Sequence, residues 1–265
     1  MKYYYIIDFF SYLLYIILKY NGKVIFMALR ALIFAVDGTL ANTERDGHRP
    51  AYNEAFQEVG LPWHWDQDFY GTLLKKGGGL ERLRYYAEHY APEVYARPDR
   101  EALFERIHEL AARNYQRRLA EGLIPLRSDI GQLICDARTE GVRLAIASSS
   151  CEQNIVALIK KHFGPQANDW FDVIASGDCT PAKKPAPDLY KTALSKLGLP
   201  PRDCLAVEDS QHGLTASMSA GIPTVITLSD YHYDEDFDGA RLVLHETDEL
   251  TLDKLRLWHA TASTS

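Results

Sequence analysis

The sequence predicts an α/β fold, a doubly wound parallel sheet carrying an inserted all-α domain. Three observations lead there. Short apolar runs of strand length alternate with stretches of helical period. One long stretch, 45–119, keeps helical period with no strand inside it. The composition, 46% hydrophobic and 25% charged over 265 residues, is that of a soluble chain able to cover both faces of a sheet. In such sheets ligands gather beyond the carboxyl ends of the strands.

Residues 1–26 do not share this pattern. They hold six of the 16 tyrosines and no Ala, Arg or Pro, which separates them from the Ala- and Arg-rich chain that follows. Their apolar run, 3–18, is interrupted by Asp8 and Ser11 and is short for a membrane span. No small-residue cleavage site of a signal peptide follows it. Three readings stay open: a leader or non-native extension ahead of Met27, an amphipathic helix lying on a membrane surface, or a signal anchor.

From 29 to 36 (LRALIFAV) an apolar run stops at Asp37-Gly38, as a buried strand entering a turn does. Similar runs follow at 142–147, 171–175, 204–207, 224–227 and 241–244. Between them, 129–140 reads as a helix stopped by Gly141 and 188–197 as a helix stopped by Gly198. The stretch 152–163 puts Ile155, Ile159 and Phe163 on one helical stripe. Inside the insertion, 50–59, 80–90 and 100–119 have helical period, the last opened by Asp99 as an N-cap. The two links to the sheet fall near 43–46 and 120–125. The expected division is therefore a core made of 27–44 and 120–265, with a helical cap at 45–119.

A net charge of −7 argues against a nucleic-acid binder that works by bulk charge. Cys135, Cys151, Cys179 and Cys204 show neither a CxxC nor a metal-type spacing. Reduced thiols and a cytoplasmic setting are expected, or a plastid stroma were the source a plant or alga.

The chemistry gathers at four strand ends. Ala35-Val36-Asp37-Gly38-Thr39 closes the first strand, Ser148 closes the second, and Glu208-Asp209 closes the run at 204–207. Lys184 lies in Lys183-Lys184-Pro185 just before a helix. Taken singly, each is an ordinary cap or loop residue. Their order and their shared position at strand ends make the set specific. Lys75-Lys76-Gly77-Gly78-Gly79 lacks the Gly-Lys-Ser/Thr of a P-loop and has no strand before it. His48 and Arg49 open the first helix of the insertion. Arg82 and Arg84 are candidates for a distal phosphate, though paired arginines on an amphipathic helix are more often solvated. Trp63 and Trp65 read as core of the insertion, and 234–238 as a solvated acidic loop.

This constellation resembles the haloacid dehalogenase superfamily of phosphatases, with a Rossmann-like core, over essentially the whole chain from Met27 to about Leu244. The insertion resembles the helical cap of its beta-phosphoglucomutase-like branch. The run 37–49, with Trp63-His64-Trp65 and Gly78-Gly79, is similar to CbbY-type sugar-bisphosphate phosphatases. The first motif of the family is Asp-x-Asp-Gly-Thr, and Ala35 replaces its first Asp. The resemblance implies that this missing carboxylate is the nucleophile and a Mg²⁺ ligand, and that Asp37 is the general acid/base. It further implies Ser148 and Lys184 as phosphate ligands, and Glu44, His48, Arg49, Lys75 and Arg82 as substrate contacts. Asp37, Asp209 and Glu208 are the implied metal ligands. Asn42 and Leu80 also depart from the family pattern. Ala35 is open to three explanations: an engineered inactivation, natural loss of the nucleophile, or a sequence error. The expected function is Mg²⁺-dependent hydrolysis of a small phosphosugar such as xylulose-1,5-bisphosphate, inactivated at Ala35. A catalytically dead phosphosugar binder and a mutase are the alternatives. A monomer with no nucleic-acid or membrane partner is expected.

Overall fold

The computed structural model describes residues 29–76, 78–245 and 250–261; the predicted leader at 1–26 lies outside them. Among these residues six strands form one parallel sheet: β1 (Ala31–Phe34), β2 (Arg143–Ala147), β3 (Val173–Ala175), β4 (Cys204–Glu208), β5 (Thr224–Thr227) and β6 (Leu242–Leu244). Their order is β3-β2-β1-β4-β5-β6. Phe34 is in register with Ile146 on one side and Val207 on the other, so the carboxyl ends of β1, β2 and β4 lie level. All six expected strands form, several of them shorter than the apolar runs that encode them.

Between β1 and β2 run α1 (Arg49–Glu58), α2 (Gln67–Leu74), α3 (Gly79–Tyr90), α4 (Pro92–Tyr95) and α5 (Arg100–Glu121). They pack around an apolar centre of their own that includes Tyr52, Phe56, Trp65, Tyr70, Phe104 and Ile107. Trp63 and Trp65 belong to it, as core residues should. The side chain of Asn53 fixes Trp65 by bonding both its main-chain N–H and its C=O, at 2.8 and 2.9 Å.

The rest of the chain covers the sheet with α6 (Ile130–Thr139), α7 (Glu152–Phe163), α8 (Asp188–Leu197), α9 (Gln211–Ser219) and α10 (Leu252–Thr261). The period of two along each strand sorts the core into two layers. Leu32, Phe34, Leu144, Ile146, Leu205 and Val207 face α6, α7 and α10. Ala31, Ile33, Ala145, Ala147 and Ala206 face α8 and α9, where the four alanines leave room for Leu189, Tyr190 and Leu194.

Three local expectations change. Asp99 stands at the N-cap position of α5, but its carboxylate is taken by Arg97 at 2.7 and 2.9 Å and caps nothing. Helix α5 continues to Glu121 and stops at Gly122, whose φ of +79° ends it, so the second link starts two residues later than expected. The first link is itself helical, a π-type turn over Glu44–His48 that runs into α1. The two links are joined by an antiparallel bridge between Ala41 and Leu126. Among the described residues no helix is long and apolar enough to cross a membrane.

Candidate active site

At the carboxyl edge of the sheet a cavity of about 260 Å³ opens beneath the helices of the insertion. Its lining includes Ala35, Asp37, Glu44, Arg82, Ser148, Lys184, Glu208 and Asp209. Eight of the residues singled out in the sequence are thus brought together. Three are not. His48 stacks on Tyr115, ring centroids 4.1 Å apart. Arg49 is turned to the main-chain oxygens of Trp65 (3.3 Å) and Arg45 (3.4 Å). Lys75 is exposed at the end of α2 and does not line the cavity. Arg84 is paired with Glu81 and Glu101 on the outer surface.

β1 delivers the first segment. Ala35 continues the ladder by donating its N–H to Val207 at 3.0 Å and is almost fully buried. The chain then turns sharply at Gly38, which has φ +73°. A Cβ at Gly38 would fall on the Asp209 carboxylate, so glycine is needed there both for its dihedral and for the close approach. The turn places Asp37 where hydroxyls clamp it: Thr43 donates to Oδ1 at 2.5 Å and Ser150 to Oδ2 at 2.5 Å. Ser148 leaves β2 with its N–H on Ala175 at 3.0 Å, its Oγ accepting from the Ser150 N–H at 3.1 Å.

β4 delivers the acidic pair. Glu208 is 1% exposed and receives both Lys184 Nζ and the Tyr190 hydroxyl on Oε1. Gly213 makes room for that carboxylate, since a Cβ at 213 would overlap it. Burial, followed by the adjacent Glu208 charge, drives the Tyr190 phenol well above its ordinary range. Asp209 accepts from Ser229 at 2.7 Å and Thr39 at 3.3 Å. Burial pushes its carboxyl up to about 6, with Glu208 adding and His232, Ser229 and Lys184 opposing.

The helical side contributes Glu44 and Arg82, held together through Tyr70. Tyr70 donates to Glu44 at 2.6 Å, Arg82 donates to Tyr70 at 2.9 Å, and Arg82 lies 3.6 Å from Glu44. Burial raises the Glu44 carboxyl, but Arg82, His48 and the Tyr70 bond outweigh it and leave it below its ordinary value.

The segment after β5, Ser229 to His232, also lines the cavity and was not expected. Asp230 reaches Arg45 at 2.7 Å. His232 shares a bond of 2.8 Å with Glu235, which also caps α9 by accepting from the Gln211 N–H at 2.6 Å. Burial lowers the His232 pKa, yet Glu235 and Asp209 raise it on balance. The acidic loop at 234–238 is therefore not merely solvated. Ser229, a serine in a loop, carries no local signal of this role.

The donor set at the cavity is made mostly of oxygens, the kind a hard divalent cation takes. Its oxygen chemistry fits, and burial is the main cause that holds the Asp209 carboxyl above its ordinary range. The side chains of Asp37 and Glu208 are committed elsewhere, to Thr43 and Ser150 and to Lys184 and Tyr190. Among the described residues no group of three His, Cys, Asp or Glu side chains is arranged to hold a metal. Asp209, Glu208 and Asp37, the last expected to offer its main-chain oxygen, line one cavity, with Ala35 in place of a further carboxylate.

Helices on both faces of a parallel sheet, with acid, hydroxyl and ammonium groups gathered beyond its carboxyl edge, define a doubly wound α/β protein with a ligand site at that edge. The chain belongs to the haloacid dehalogenase-like hydrolase family, whose profile matches residues 32–227. It is 44% identical over 216 residues to the plasmid protein CbbY of Cupriavidus necator, covering 82% of this chain and 85% of that one. A CBBY-like protein of Arabidopsis thaliana is 38% identical over 216 residues, 80% of this chain and 67% of its own. A crystal structure of a mutant CbbY from Rhodobacter sphaeroides in complex with xylulose-(1,5)bisphosphate superposes with a TM-score of 0.73. That structure is 39% identical, and the match covers 86% of this chain and 99% of the other.

Proposed function

We propose that this chain binds a small phosphosugar, a sugar bisphosphate such as xylulose-1,5-bisphosphate, in a phosphatase site of CbbY type that has lost its nucleophile. The observation that carries this is the convergence of Asp37, Ser148, Lys184, Glu208 and Asp209 on one cavity that has Ala35 in its wall. Ser148 and Lys184 hold the phosphoryl oxygens, Lys184 by a charge-assisted contact. Asp37, held at both oxygens by hydroxyls, is the acid for the leaving alcohol and the base for water. Ala35 has no atom that can attack phosphorus. Residues 45–119 act as a cap that sets the size of the substrate. Asp209 and the Asp37 carbonyl hold Mg²⁺, which when bound offsets charge on the phosphoryl group.

The test is a phosphatase assay of this chain beside its Ala35→Asp version over sugar mono- and bisphosphates. Restoring the carboxylate should raise turnover by roughly 10⁴- to 10⁶-fold. Activity of both at one level, or of neither together with no phosphate binding, contradicts the assignment.

A further inference from the structure

Tyr190 is fully buried at the start of α8, six residues after Lys184. Two contacts tie it to that lysine. Its hydroxyl donates to Glu208 Oε1 at 2.5 Å, the same oxygen that accepts from Lys184 Nζ. Its ring lies beneath the ammonium, with Nζ 5.2 Å from the ring centroid.

An ammonium bound to a buried carboxylate is not free to serve an incoming anion. When Lys184 turns toward a phosphoryl oxygen, Glu208 is left with less compensation in a place almost closed to water. A second donor on the same carboxylate oxygen reduces that penalty, because the charge of Glu208 stays hydrogen-bonded whether or not Lys184 is turned away. The ring under the ammonium gives the cation a second contact beside Glu208.

We propose that Tyr190 is a positioning residue that holds Glu208 satisfied so that Lys184 is available to phosphate. This rests on Lys184 being a phosphoryl ligand, as argued above. Tyr190→Phe preserves the ring and its volume and removes only the hydroxyl. Inorganic phosphate is titrated by calorimetry into the full chain, Tyr190→Phe, Glu208→Gln and the double variant, with melting temperatures recorded for each. Tyr190→Phe should weaken phosphate binding about tenfold. In the Glu208→Gln background, where no charge competes for Lys184, the same substitution should leave affinity unchanged. A purely structural hydroxyl would lower the melting temperature and leave the affinity of the folded protein as it was. That result overturns the proposal, and so does equal weakening in both backgrounds. If the parent chain binds no phosphate, the assignment of Lys184 falls and takes this proposal with it. If the parent binds and Tyr190→Phe binds equally, only the role of Tyr190 falls.

Discussion

At Ala35 a single methyl group stands at the end of β1 where the neighbouring geometry is arranged around charge. Asp209 is desolvated and carries a raised proton affinity, and Gly38 gives up its side chain to let it close. A carboxylate at 35 would add a second negative oxygen donor beside it. Ala35→Asp should therefore bind Mg²⁺ more tightly than this chain in calorimetry; tighter binding by the Ala35 form would contradict the metal assignment. Glu44 makes the opposite electrostatic case. Its carboxyl is depressed from 4.5, burial being outweighed by Arg82, His48 and Tyr70. A depressed acid contributes stability that is present above its ordinary value and is lost as pH falls through its folded value. The melting temperature should drop on acidification below 4.5, and Glu44→Gln should make that drop shallower. Equal slopes for the two proteins would show that the pair contributes nothing.

At the scale of elements, the strands and longer helices were legible because hydrophobic period alone specifies them; α7 and α8 begin and end where their glycines and apolar stripes place them. The missed helices have physical reasons. α9 (QHGLTASMS) is small and polar, and its start is set by Ser210 accepting from the Gly213 N–H at 3.2 Å. α2 spans only eight residues. Asp37, Ser148 and Asp209 were legible because each closely follows its strand, and Lys184 because it stands in a Pro-containing loop just before a helix. Ser229, Asp230 and His232 were not, since a loop after an apolar run says nothing about which way it folds back. That loop makes its own prediction. Asp230 and Arg45 are each about one-third exposed, and such a pair is worth about 1 kcal/mol or less. Asp230→Asn should leave the melting temperature within about 4 °C. It also removes a negative charge from the cavity wall, while Arg45 stays paired with Asp46 through bonds of 2.7 and 2.8 Å. In the Ala35→Asp background the KM for a phosphosugar should fall, roughly two- to fivefold and more at low salt. An unchanged KM would assign the pair to the surface alone.

At the scale of the whole molecule, the sheet edge and the helical layer share one cavity of about 260 Å³, the site proposed for a sugar phosphate. One end of such a ligand would meet Ser148, Lys184 and Asp209, and its far end would meet the helical side. A second phosphate needs a cation there. Of the five substrate contacts expected from the resemblance, Arg82 and Glu44 line the cavity while His48, Arg49 and Lys75 do not, and Glu44 is an acid. Arg82 bonds Tyr70 and the Lys76 main-chain oxygen and lies 3.6 Å from Glu44, so a second phosphate would compete with these partners for its planar donor group. In the Ala35→Asp background, kcat/KM for a sugar bisphosphate should exceed that for the matching monophosphate. Arg82→Ala should narrow that ratio, and Arg49→Ala, whose guanidinium is turned to main-chain oxygens, should leave it intact. The ratio is the readout because a general loss of stability or of phosphoryl binding affects both substrates alike and cancels. A ratio of one in the parent, with no change in either variant, would remove the bisphosphate preference and leave the phosphatase assignment standing.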